Sequence, residues 1–522
     1  MYIDQDLQSQ YARDFLVVKL AKGKNNFICE VKSDFIKDGT YKCGLDSNNA
    51  KCRHTSADYG PCMNNESFKG SGCKYRTFPE DYTIINKEMR EEKVFIHDDA
   101  TNHYQNEYSQ WSYLENLKEN RLWKPCDYYH QLNIALTASH STLNYPMLLS
   151  LLPTRKFRSR DLLILDEAHL LETEIVGFTG ISISKRRWKR YIPNFKIVDY
   201  GYDDIEKWID FLIDLKTRML DLTNIREELV PDAITDVEKL TRAIDDIRSN
   251  RKNWIVSEIN KEGYEVMSVG LKPLDVSPYC KGVFEKCNKT LMMSATILDV
   301  DAFCTSLGLA PKEVKFIQVP SDFPVQNRPV FPLNIAYLNS DSLQQQEVQT
   351  KISGAVENVM TLHRNHKGII LTTSYKQVNF IKENISEINK RRLLQTDPEI
   401  PRDEVITKHV NSTEPTVLIS PSLYMGLDLK YDLSRFQIIT KVSYPDLGDR
   451  WIDAKRKING QWYIWQTGLK LVQGYGRSVR SKEDWAKTYV LDSMFELFVE
   501  KNKNILPDWY IQAIQGRIKI IS

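Results

Sequence analysis

The segment Leu163-Ile-Leu-Asp166-Glu167-Ala168-His169 gives the first indication of the fold class of this 522-residue chain. Its apolar residues form a run of strand length, and two acidic residues end that run. Short apolar runs that end in this way are typical of the buried strands of parallel α/β sheets. Five similar runs follow along the chain: Thr290-Leu-Met-Met before Ser294, Gly368-Ile-Ile-Leu before Thr372, Thr416-Val-Leu-Ile before Ser420, Phe436-Gln-Ile-Ile before Thr440, and Thr488-Tyr-Val-Leu before Asp492. We therefore predict an α/β fold of parallel sheets, with ligands bound at the carboxyl ends of the strands.

Composition excludes several classes of protein. Hydrophobic residues make up 42% and aromatic residues 11% of the chain, which is enough to bury a core and argues against global disorder. The net charge is only +2, so a nucleic-acid site must come from local clustering of basic residues. No apolar stretch reaches the ~18 residues that span a bilayer, and the first thirty residues lack a signal-peptide pattern. The sequence predicts an intracellular protein, cytoplasmic or nucleoid-associated, with no membrane partner.

The nine cysteines are unevenly distributed along the chain. Six of them lie in the first quarter: Cys29, Cys43, Cys52, Cys62, Cys73 and Cys126. In a reducing compartment such clustering favours a metal or iron–sulfur site over disulfides. The remaining three, Cys280, Cys287 and Cys304, are expected to be ordinary buried residues.

Two further segments indicate how the domains are organised. Residues 202–262 contain no glycine, and their apolar positions form two stripes at helical spacing, which predicts a helical hairpin inserted into the first sheet domain. One stripe runs from Ile205 to Leu215 and the other from Ile234 to Ile247, with Pro231 between them. Four prolines between Pro320 and Pro332 indicate a linker to a second sheet domain.

Acids and arginines in this pattern point to nucleotide chemistry. Asp166, at the end of a buried strand, is placed to hold Mg²⁺, and Glu167 to activate water. The structural alternative is that Asp166 caps a helix. Arg477 and Arg480 lie three residues apart, on one face if helical, and arginines so placed can reach a γ-phosphate. Their structural alternative is a solvated basic face.

The order of the motifs carries more information than any one of them. The series DEAH, SAT, ILTTSYKQ, SPSLYMGLDL and QGYGRSVR resembles motifs II to VI of superfamily-two helicases. The closest branch is the XPD/DinG-like DNA helicases that carry an iron–sulfur cluster. Supporting segments are Leu7-Gln-Ser-Gln-Tyr-Ala-Arg13, which resembles motif Ia, Thr142-Leu-Asn-Tyr145, and Lys441-Val-Ser-Tyr-Pro-Asp-Leu.

The resemblance implies a domain plan. Two RecA-like parallel-sheet domains would carry an iron–sulfur insertion and a helical arch insertion. The expected segments are 1–28 as the start of helicase domain 1, 29–126 as the iron–sulfur insertion, 127–180 as helicase domain 1, 181–272 as the arch, 273–325 as the end of domain 1, and 326–522 as domain 2.

The resemblance also implies the ligands of a 4Fe–4S cluster. They are Cys29, Cys62, Cys73 and Cys126. Cys43 and Cys52 are left over, either as free thiols or with one of them replacing Cys62 as a ligand. A structural zinc site built from four of these cysteines remains an alternative.

The implied function is an ATP-dependent 5′-to-3′ DNA helicase that uses ATP and Mg²⁺. Asp166 would hold Mg²⁺ through water, Glu167 would be the general base, and His169 would link the nucleotide to Ser294 and Thr296. The second domain would contribute Gly426 and Asp428, which help to close the cleft, and Gln473, Arg477 and Arg480. Expected contacts to DNA are Gln10, Arg13, Ser374 and Tyr375. The expected partners are single-stranded and forked DNA, and the protein is expected to be monomeric.

One family motif is missing from the sequence. The phosphate-binding pattern GxxxxGK followed by Ser or Thr does not occur, and the only Gly-Lys pair, Gly23-Lys24, is followed by Asn25. We expect this motif either to lie upstream of Met1 or to be truly absent. In both cases the chain as written should hydrolyse ATP very poorly, and loss of a central strand should expose a sheet edge. The alternatives are an ATPase-dead protein that binds single strands, or an RNA-directed DEAH helicase, which the cysteine insertion disfavours.

Overall fold

A computed structural model describes residues 18–22, 127–154, 157–221, 230–396, 402–424 and 427–516. The chain divides into two compact units. Unit 1 is Met1–Met292 with Asp449–Trp451, and unit 2 is Met293–Gly448 with Ile452–Ser522. This division falls after Met292, earlier in the chain than the functional boundary predicted between residues 325 and 326, which stays a prediction.

Unit 1 contains two short parallel pairs of strands and one antiparallel sheet. Its described strands are β1 (Val18–Leu20), β2 (His140–Thr142), β3 (Arg160–Leu165), β4 (Ile181–Ser184), β5 (Trp254–Glu262), β6 (Glu265–Pro273) and β7 (Cys287–Met292). Its described helices are α1 (Asp127–Thr137), α2 (Tyr145–Leu151), α3 (Leu171–Thr179), α4 (Lys185–Trp188), α5 (Ile205–Leu220), α6 (Val230–Ser249) and α7 (Ser277–Phe284). Strand β1 pairs with β2, and β3 pairs with β7, so the strands predicted before Asp166 and Ser294 are confirmed.

The inserted segment of unit 1 is only partly helical. Helices α5 and α6 confirm the predicted hairpin, and they share a hydrophobic core with an antiparallel sheet in the order β4-β6-β5. The helical interpretation of residues 254–262 is wrong, because this segment is strand β5 paired with β6. Trp254 and Val256 are buried at a spacing of two residues, which is the period of a strand. The predicted arch is therefore a mixed α/β insertion.

Unit 2 is built around a single parallel sheet. Its described strands are β8 (Val330–Ala336), β9 (Gly368–Leu371), β10 (Leu393–Gln395), β11 (Val417–Ser420), β12 (Phe436–Ile439) and β13 (Lys487–Asp492), in the spatial order β10-β11-β9-β12-β13-β8. All five pairings are parallel. The predicted parallel α/β fold is confirmed here, and four of the six strands lie where the apolar runs placed them.

Helices cover both faces of this sheet. The helices described in this half of the chain are α8 (Val300–Leu307), α9 (Gln346–Leu362), α10 (Tyr375–Glu383), α11 (Glu387–Arg392), α12 (Arg402–Asn411), α13 (Arg450–Ile458), α14 (Gly460–Tyr475), α15 (Met494–Lys501) and α16 (Asp508–Ile511). Ile370 packs in one core with residues of α9 and α10. Its neighbours Ile369 and Leu371 pack in another core with residues of α14 and α15. Successive side chains of β9 thus enter opposite layers, as the period of a strand requires.

Close packing within the sheet requires a glycine at the start of β9. A Cβ atom on Gly368 would lie 2.4 Å from Cε1 of Phe436 on the neighbouring strand β12. The position therefore excludes any side chain unless the ring moves. None of the helices in the described part of the chain is long and apolar enough to cross a membrane.

Candidate functional site

The acidic turn of unit 1 follows β3 directly. Asp166 is half-buried, and its Oδ1 accepts a hydrogen bond of 2.9 Å from the backbone N–H of Glu167. Glu167 has φ 49° and ψ 41°, which is the left-handed region. Residues other than glycine rarely adopt this conformation, and where they do the strain is commonly found at functional sites. The residues at the N-terminal ends of the short helix Ala168–Leu170 and of α3 are Glu167 and Leu170, and neither caps its helix through its own side chain.

Tyr145 fixes this turn from behind. Its hydroxyl donates a hydrogen bond of 2.8 Å to the carbonyl oxygen of Asp166. Burial raises the pKa of Tyr145, and the negative charges of Asp166, Glu174 and Glu167 raise it further. The phenol therefore stays protonated and remains a donor. Asn144 caps helix α2 through its side chain, which accepts from the N–H of Met147 and so fixes the helix that carries Tyr145.

His169 lies in the same turn and contacts Glu167. The imidazole is buried, with Nδ1 3.3 Å from Oε2 of Glu167, whose side chain is 46% exposed. The histidine thus orients a carboxylate that keeps access to solvent. The structure places Asp166, Glu167 and His169 together in unit 1.

In unit 2, helix α14 holds the loop that carries Ser294 and Thr296. Gln473 Nε2 donates to Thr296 Oγ1 at 3.1 Å, and the N–H of Thr296 donates to Ser294 Oγ at 3.0 Å. Two other residues of the helix bind the same loop. Trp465 Nε1 donates to the carbonyl of Ile297 at 2.7 Å, and Gln461 Nε2 donates to Asp299 Oδ2 at 3.1 Å.

These three residues form one stripe along α14. Each step of four residues turns the helix by about 40°, so the stripe winds through about 120° from Gln461 past Trp465 to Gln473. Their partners run in the opposite direction along the loop, from Asp299 back to Thr296. Sequence reasoning selected Gln473 and missed Gln461 and Trp465, although their spacing was available as a signal.

The two predicted arginines converge on one backbone carbonyl. Arg480 Nη2 donates to the oxygen of Leu427 at 2.8 Å, and Arg477 Nη1 donates to the same oxygen at 3.3 Å. Arg480 Nε also lies 3.1 Å from Oδ1 of Asp428. The condition of a helix is not met, because α14 ends at Tyr475 and both arginines lie in the irregular segment beyond it. A turn nevertheless brings both guanidinium groups to one point.

Buried polar residues hold this turn in place. Gln437, in the centre of β12, donates from Nε2 to the carbonyl oxygen of Tyr475 at 2.6 Å and accepts from the hydroxyl of Ser478 at 3.1 Å. Asp484 is fully buried and accepts from the N–H of Arg480 at 3.2 Å. It also accepts from Arg435 Nη1 at 2.9 Å. Gln437 and Asp484 each have a partner about 40 to 50 residues away, and sequence reasoning missed both residues.

The remaining predicted residues have plainer positions. The hydroxyl of Ser374 caps helix α10 by accepting from the N–H of Gln377 at 3.3 Å, and Tyr375 packs at the edge of a core. Among the described residues, Cys280 and Cys304 are buried and outside any disulfide, and Cys287 is half-buried. The other predicted residues lie outside the described residues: Gln10, Arg13, Gly426, and the cysteines Cys29, Cys43, Cys52, Cys62, Cys73 and Cys126.

The donor atoms of the acidic turn fit one of the two predicted metal groups. Carboxylate oxygens at a strand end are the ligands that Mg²⁺ prefers, and Asp166 and Glu167 supply them. Within the described residues, no group of three or more His, Cys, Asp or Glu side chains is arranged to hold a metal ion. The predicted iron–sulfur ligands lie outside those residues, so the cluster stays a prediction.

Comparison with known proteins gives a family for the second half of the chain. Residues 356–512 match the family model described as the helicase C-terminal domain. The ATP-dependent DNA helicase DinG of Photobacterium profundum is 23% identical over 260 residues, which cover 46% of this chain and 36% of that protein. The chain thus spans about a third of the length of this curated relative.

Solved structures of XPD helicases also align with the chain. A structure titled XPD helicase has a TM-score of 0.49 and 14% identity, covering 97% of this chain and 98% of that one. The Xpd4 structure from S. tokodaii has a TM-score of 0.43 and 15% identity, covering 84% of this chain and 94% of that one. On the family match and the curated relative, the chain contains a helicase C-terminal domain. More particularly, the chain is similar to the DinG type of DNA helicase.

Proposed function

We propose that this chain is the motor of an ATP-dependent 5′-to-3′ DNA helicase, which couples ATP hydrolysis to translocation on single-stranded DNA and to duplex unwinding. The observation that carries the proposal is the convergence of Arg477 and Arg480 on the oxygen of Leu427 beside Asp428. Two guanidinium groups held at one point by a neutral carbonyl form a receptor for an anion. The helicase C-terminal domain that contains them suggests that this anion is the γ-phosphate of ATP.

The proposed roles follow from the chemistry of each group. Asp166 would hold Mg²⁺, which would neutralise charge on the phosphates. Glu167 accepts a proton from the attacking water, and its partly exposed carboxylate beside His169 suits that role. Arg477 and Arg480 exchange a neutral carbonyl for a phosphate, because hydrogen bonds between charged partners are roughly twice as strong as neutral ones.

Coupling to DNA would use the loops that α14 and the second sheet support. Gln473 reports the state of the nucleotide to Ser294 and Thr296 through the contact described above, and His169 would contact the same segment. Gly426 and Asp428 help to close the site. Gln10 and Arg13, with Ser374 and Tyr375, are the proposed contacts to the strand, through backbone charge and stacking. The proposed ligand is single-stranded or forked DNA, bound by a monomer at the chromosome.

The proposal also includes a 4Fe–4S cluster. Its ligands would be Cys29, Cys62, Cys73 and Cys126. Iron and sulfide analysis after anaerobic purification tests it. We expect four irons per chain and their loss in each Cys→Ser variant of these four residues. Loss of iron in Cys43→Ser but not in Cys62→Ser would show that the ligand assignment is wrong.

Strand displacement tests the function and its polarity together. The protein is tagged at its carboxyl end and purified from its own cells, and duplexes carry a 5′ or a 3′ single-stranded tail. We expect ATP-dependent displacement on the 5′-tailed duplex, abolished by Glu167→Gln and retained by the exposed control Asp161→Asn. Displacement of the 3′-tailed duplex alone would overturn the polarity. Preference for a ribose tail would favour the RNA-directed alternative.

A second candidate function is an ATPase-dead protein that binds single strands. It is favoured by the absence of a GxxxxGK[ST] sequence from these 522 residues. The 522-residue chain produced alone is the second preparation in the same assay. One outcome is that this chain binds single strands without any effect of ATP while the native preparation hydrolyses ATP. That result would confirm the expectation that the chain as written hydrolyses ATP very poorly. If neither preparation hydrolyses ATP, the binding protein is the better interpretation.

A further inference from the structure

A strongly basic segment lies on the α/β insertion of unit 1, away from all the motifs discussed above. Residues 185–198 contain six basic residues and no acidic residue, in a chain whose overall charge is only +2. The basic residues are Lys185, Arg186, Arg187, Lys189, Arg190 and Lys196. Such a local concentration of charge, in a nearly neutral protein, is where an anionic partner would be attracted.

Buried aromatic residues fix the segment to the core of the insertion. Trp188 and Tyr191 are buried and meet edge to face at 5.8 Å, and Phe195 is completely buried beside Trp188. The isolated bridge between Ile197 and Val266 ties the end of the segment to strand β6. The charged residues between these anchors are therefore held on a rigid surface, so that binding a ligand there costs little ordering of the backbone.

Two of the basic residues already have acidic partners. Lys185 is buried and forms an ion pair with Glu265. Arg187 Nε lies 2.6 Å from Oδ2 of Asp236, which also accepts from the hydroxyl of Tyr191 at 3.0 Å. These two basic residues stabilise the fold, and they use the acidic side chains nearest to the segment.

The three exposed basic residues lie close together. Arg186 and Lys189 are exposed and three residues apart, which places them on one side of the turn that begins with α4. Lys189 and the exposed Lys196 both act on Glu265, whose pKa is lowered first by the hydrogen bond from Lys185 and further by the charges of Lys185, Lys189 and Lys196. Three lysines of the segment thus lie near one carboxylate, that of Glu265.

We propose that Arg186, Lys189 and Lys196 form a second nucleic-acid site, which binds the phosphate backbone of a single DNA strand outside the motor motifs. The proposal rests on the proposed helicase function for the identity of its anion. The aromatic residues within the basic segment, Trp188, Tyr191 and Phe195, are buried, so the segment itself favours backbone contact over base stacking. The same burial disfavours a lipid surface, which interfacial Trp and Phe side chains would enter. Binding at this site is therefore independent of sequence and sensitive to salt.

A matched pair of triple variants tests the site in the full-length chain. The test variant is Arg186→Gln/Lys189→Gln/Lys196→Gln. The control is Arg248→Gln/Lys239→Gln/Lys252→Gln, which removes one exposed arginine and two exposed lysines from the same unit. Fluorescence anisotropy of a labelled oligo-dT strand gives the dissociation constant at several salt concentrations. Circular dichroism and the thermal midpoint show whether each variant is folded, which we expect because all six residues are exposed.

The salt dependence gives the expected result. Each lost phosphate contact reduces the slope of log K against log salt by about 0.7 on single strands, so the test variant should lose about 2 in slope. We expect its affinity at 0.1 M salt to fall about 10- to 100-fold, with the control unchanged within about 2-fold. Equal slopes for the two variants would overturn the proposal.

The remaining outcomes separate this proposal from others. If the wild-type chain does not bind DNA, the proposed helicase function fails first. If the wild type binds DNA and both triple variants match it, only the second site fails. Polyglutamate of equal charge is the competitor that tests a protein partner. If the test variant loses polyglutamate binding but keeps DNA binding, the patch serves an acidic protein and the proposal is wrong.

Discussion

Two parallel sheets in this chain begin from the same sequence signal and end in different environments. In unit 2, every residue of β9, β11 and β12 is buried, because helices cover both faces. In unit 1, Leu162 and Ile164 on β3 are 51% and 52% exposed, and Leu291 on β7 is 47% exposed, within the described part of the chain. Both sheets have the apolar runs ending in polar residues that predict strands.

The difference shows what an apolar run does and does not determine. A run of strand length specifies the extended conformation, because β-branched and large apolar residues favour it. Coverage of the run depends on helices that come from elsewhere in the sequence, such as α9 and α14 for the unit 2 sheet. Parallel sheets are normally covered on both faces, so the half-exposed pair in unit 1 is the departure. Substitutions should therefore have different consequences in the two sheets.

The largest contrast is expected from the same substitution in each sheet. Ile370→Ala removes a completely buried side chain from β9 and should lower the free energy of unfolding of unit 2 by about 2–5 kcal/mol. Ile164→Ala removes a half-exposed side chain from β3 and should cost about 1 kcal/mol in unit 1. Urea unfolding followed by hydrogen exchange in peptides from each unit measures both. Equal losses would show that β3 is covered as fully as β9.

Acid should destabilise unit 2 through two buried histidines. The pKa of His363 and that of His409 are both lowered to about 4, from an ordinary value of about 6.5. Burial is the main cause for each of them. Between these values the unfolded chain binds more protons than the folded one, so the stability present at neutral pH is lost as pH falls from 6.5 to 4. The loss should be a few kcal/mol, on the order of 2–4 for the pair.

The same histidines supply the check on this pH dependence. Burial raises the pKa of Asp492, which works in the opposite direction and offsets part of the loss at the lowest pH. The measurement is the midpoint of urea unfolding at pH 7, 5.5 and 4.5, followed by hydrogen exchange in peptides that come from unit 2. His409→Gln should flatten the curve, because it removes one of the two titrating groups. A curve that keeps its full slope in this variant contradicts the assignment.

A buried amide in β12 gives the next contrast. Gln437→Leu leaves the carbonyl of Tyr475 and the hydroxyl of Ser478 without this partner. Unsatisfied buried polar groups cost about 1–3 kcal/mol, and unit 2 should lose that much stability. Gln437→Glu keeps the shape but replaces the donor with an oxygen that faces the carbonyl of Tyr475, and should lose at least as much stability. Unchanged unfolding of Gln437→Leu would show that the amide does not hold the arginine turn.

The smallest expected effect concerns the stripe on α14. Trp465→Phe keeps the ring contact with Phe303 but removes the hydrogen bond to Ile297, at a cost of about 1 kcal/mol. Hydrogen exchange in residues 296–299 should become faster. Tyr463→Phe is the matched control, because it also removes one hydrogen bond from α14 to a backbone carbonyl, that of Pro445. Faster exchange in 296–299 for both variants would mean that the helix is loosened as a whole.

Sequence reasoning predicted the strands well because their signal is local. The runs at residues 368–371 and 436–439 match the observed strands β9 and β12. The β5–β6 hairpin was not predicted. A segment without glycine and with apolar residues at helical spacing favours helix throughout 202–262, and the turn lies just beyond this range. Gly263, one residue beyond that range, adopts φ 58° in that turn and marks it.

The candidate site was predicted in part for the same reason. Glu167 and Gln473 belong to motifs that are read directly from the chain. The convergence of Arg477 and Arg480 depends on a turn after α14 and on Gln437, whose partners Tyr475 and Ser478 lie far along the sequence. Contacts over such separations leave no periodic signal in a single sequence. Only the folded chain shows why two arginines off the helix still meet.

The proposed function predicts that Glu167 and Arg480 both serve the hydrolysis of ATP, and one measurement decides whether they do. DNA-stimulated ATP hydrolysis is compared for the natively purified protein and for Glu167→Gln, Arg480→Gln and the double variant, with the exposed Arg391→Gln as control. We predict losses of about 100-fold or more for each single variant, little further loss in the double, and unchanged DNA binding. Full hydrolysis by either single variant, or losses that multiply in the double, would contradict the account.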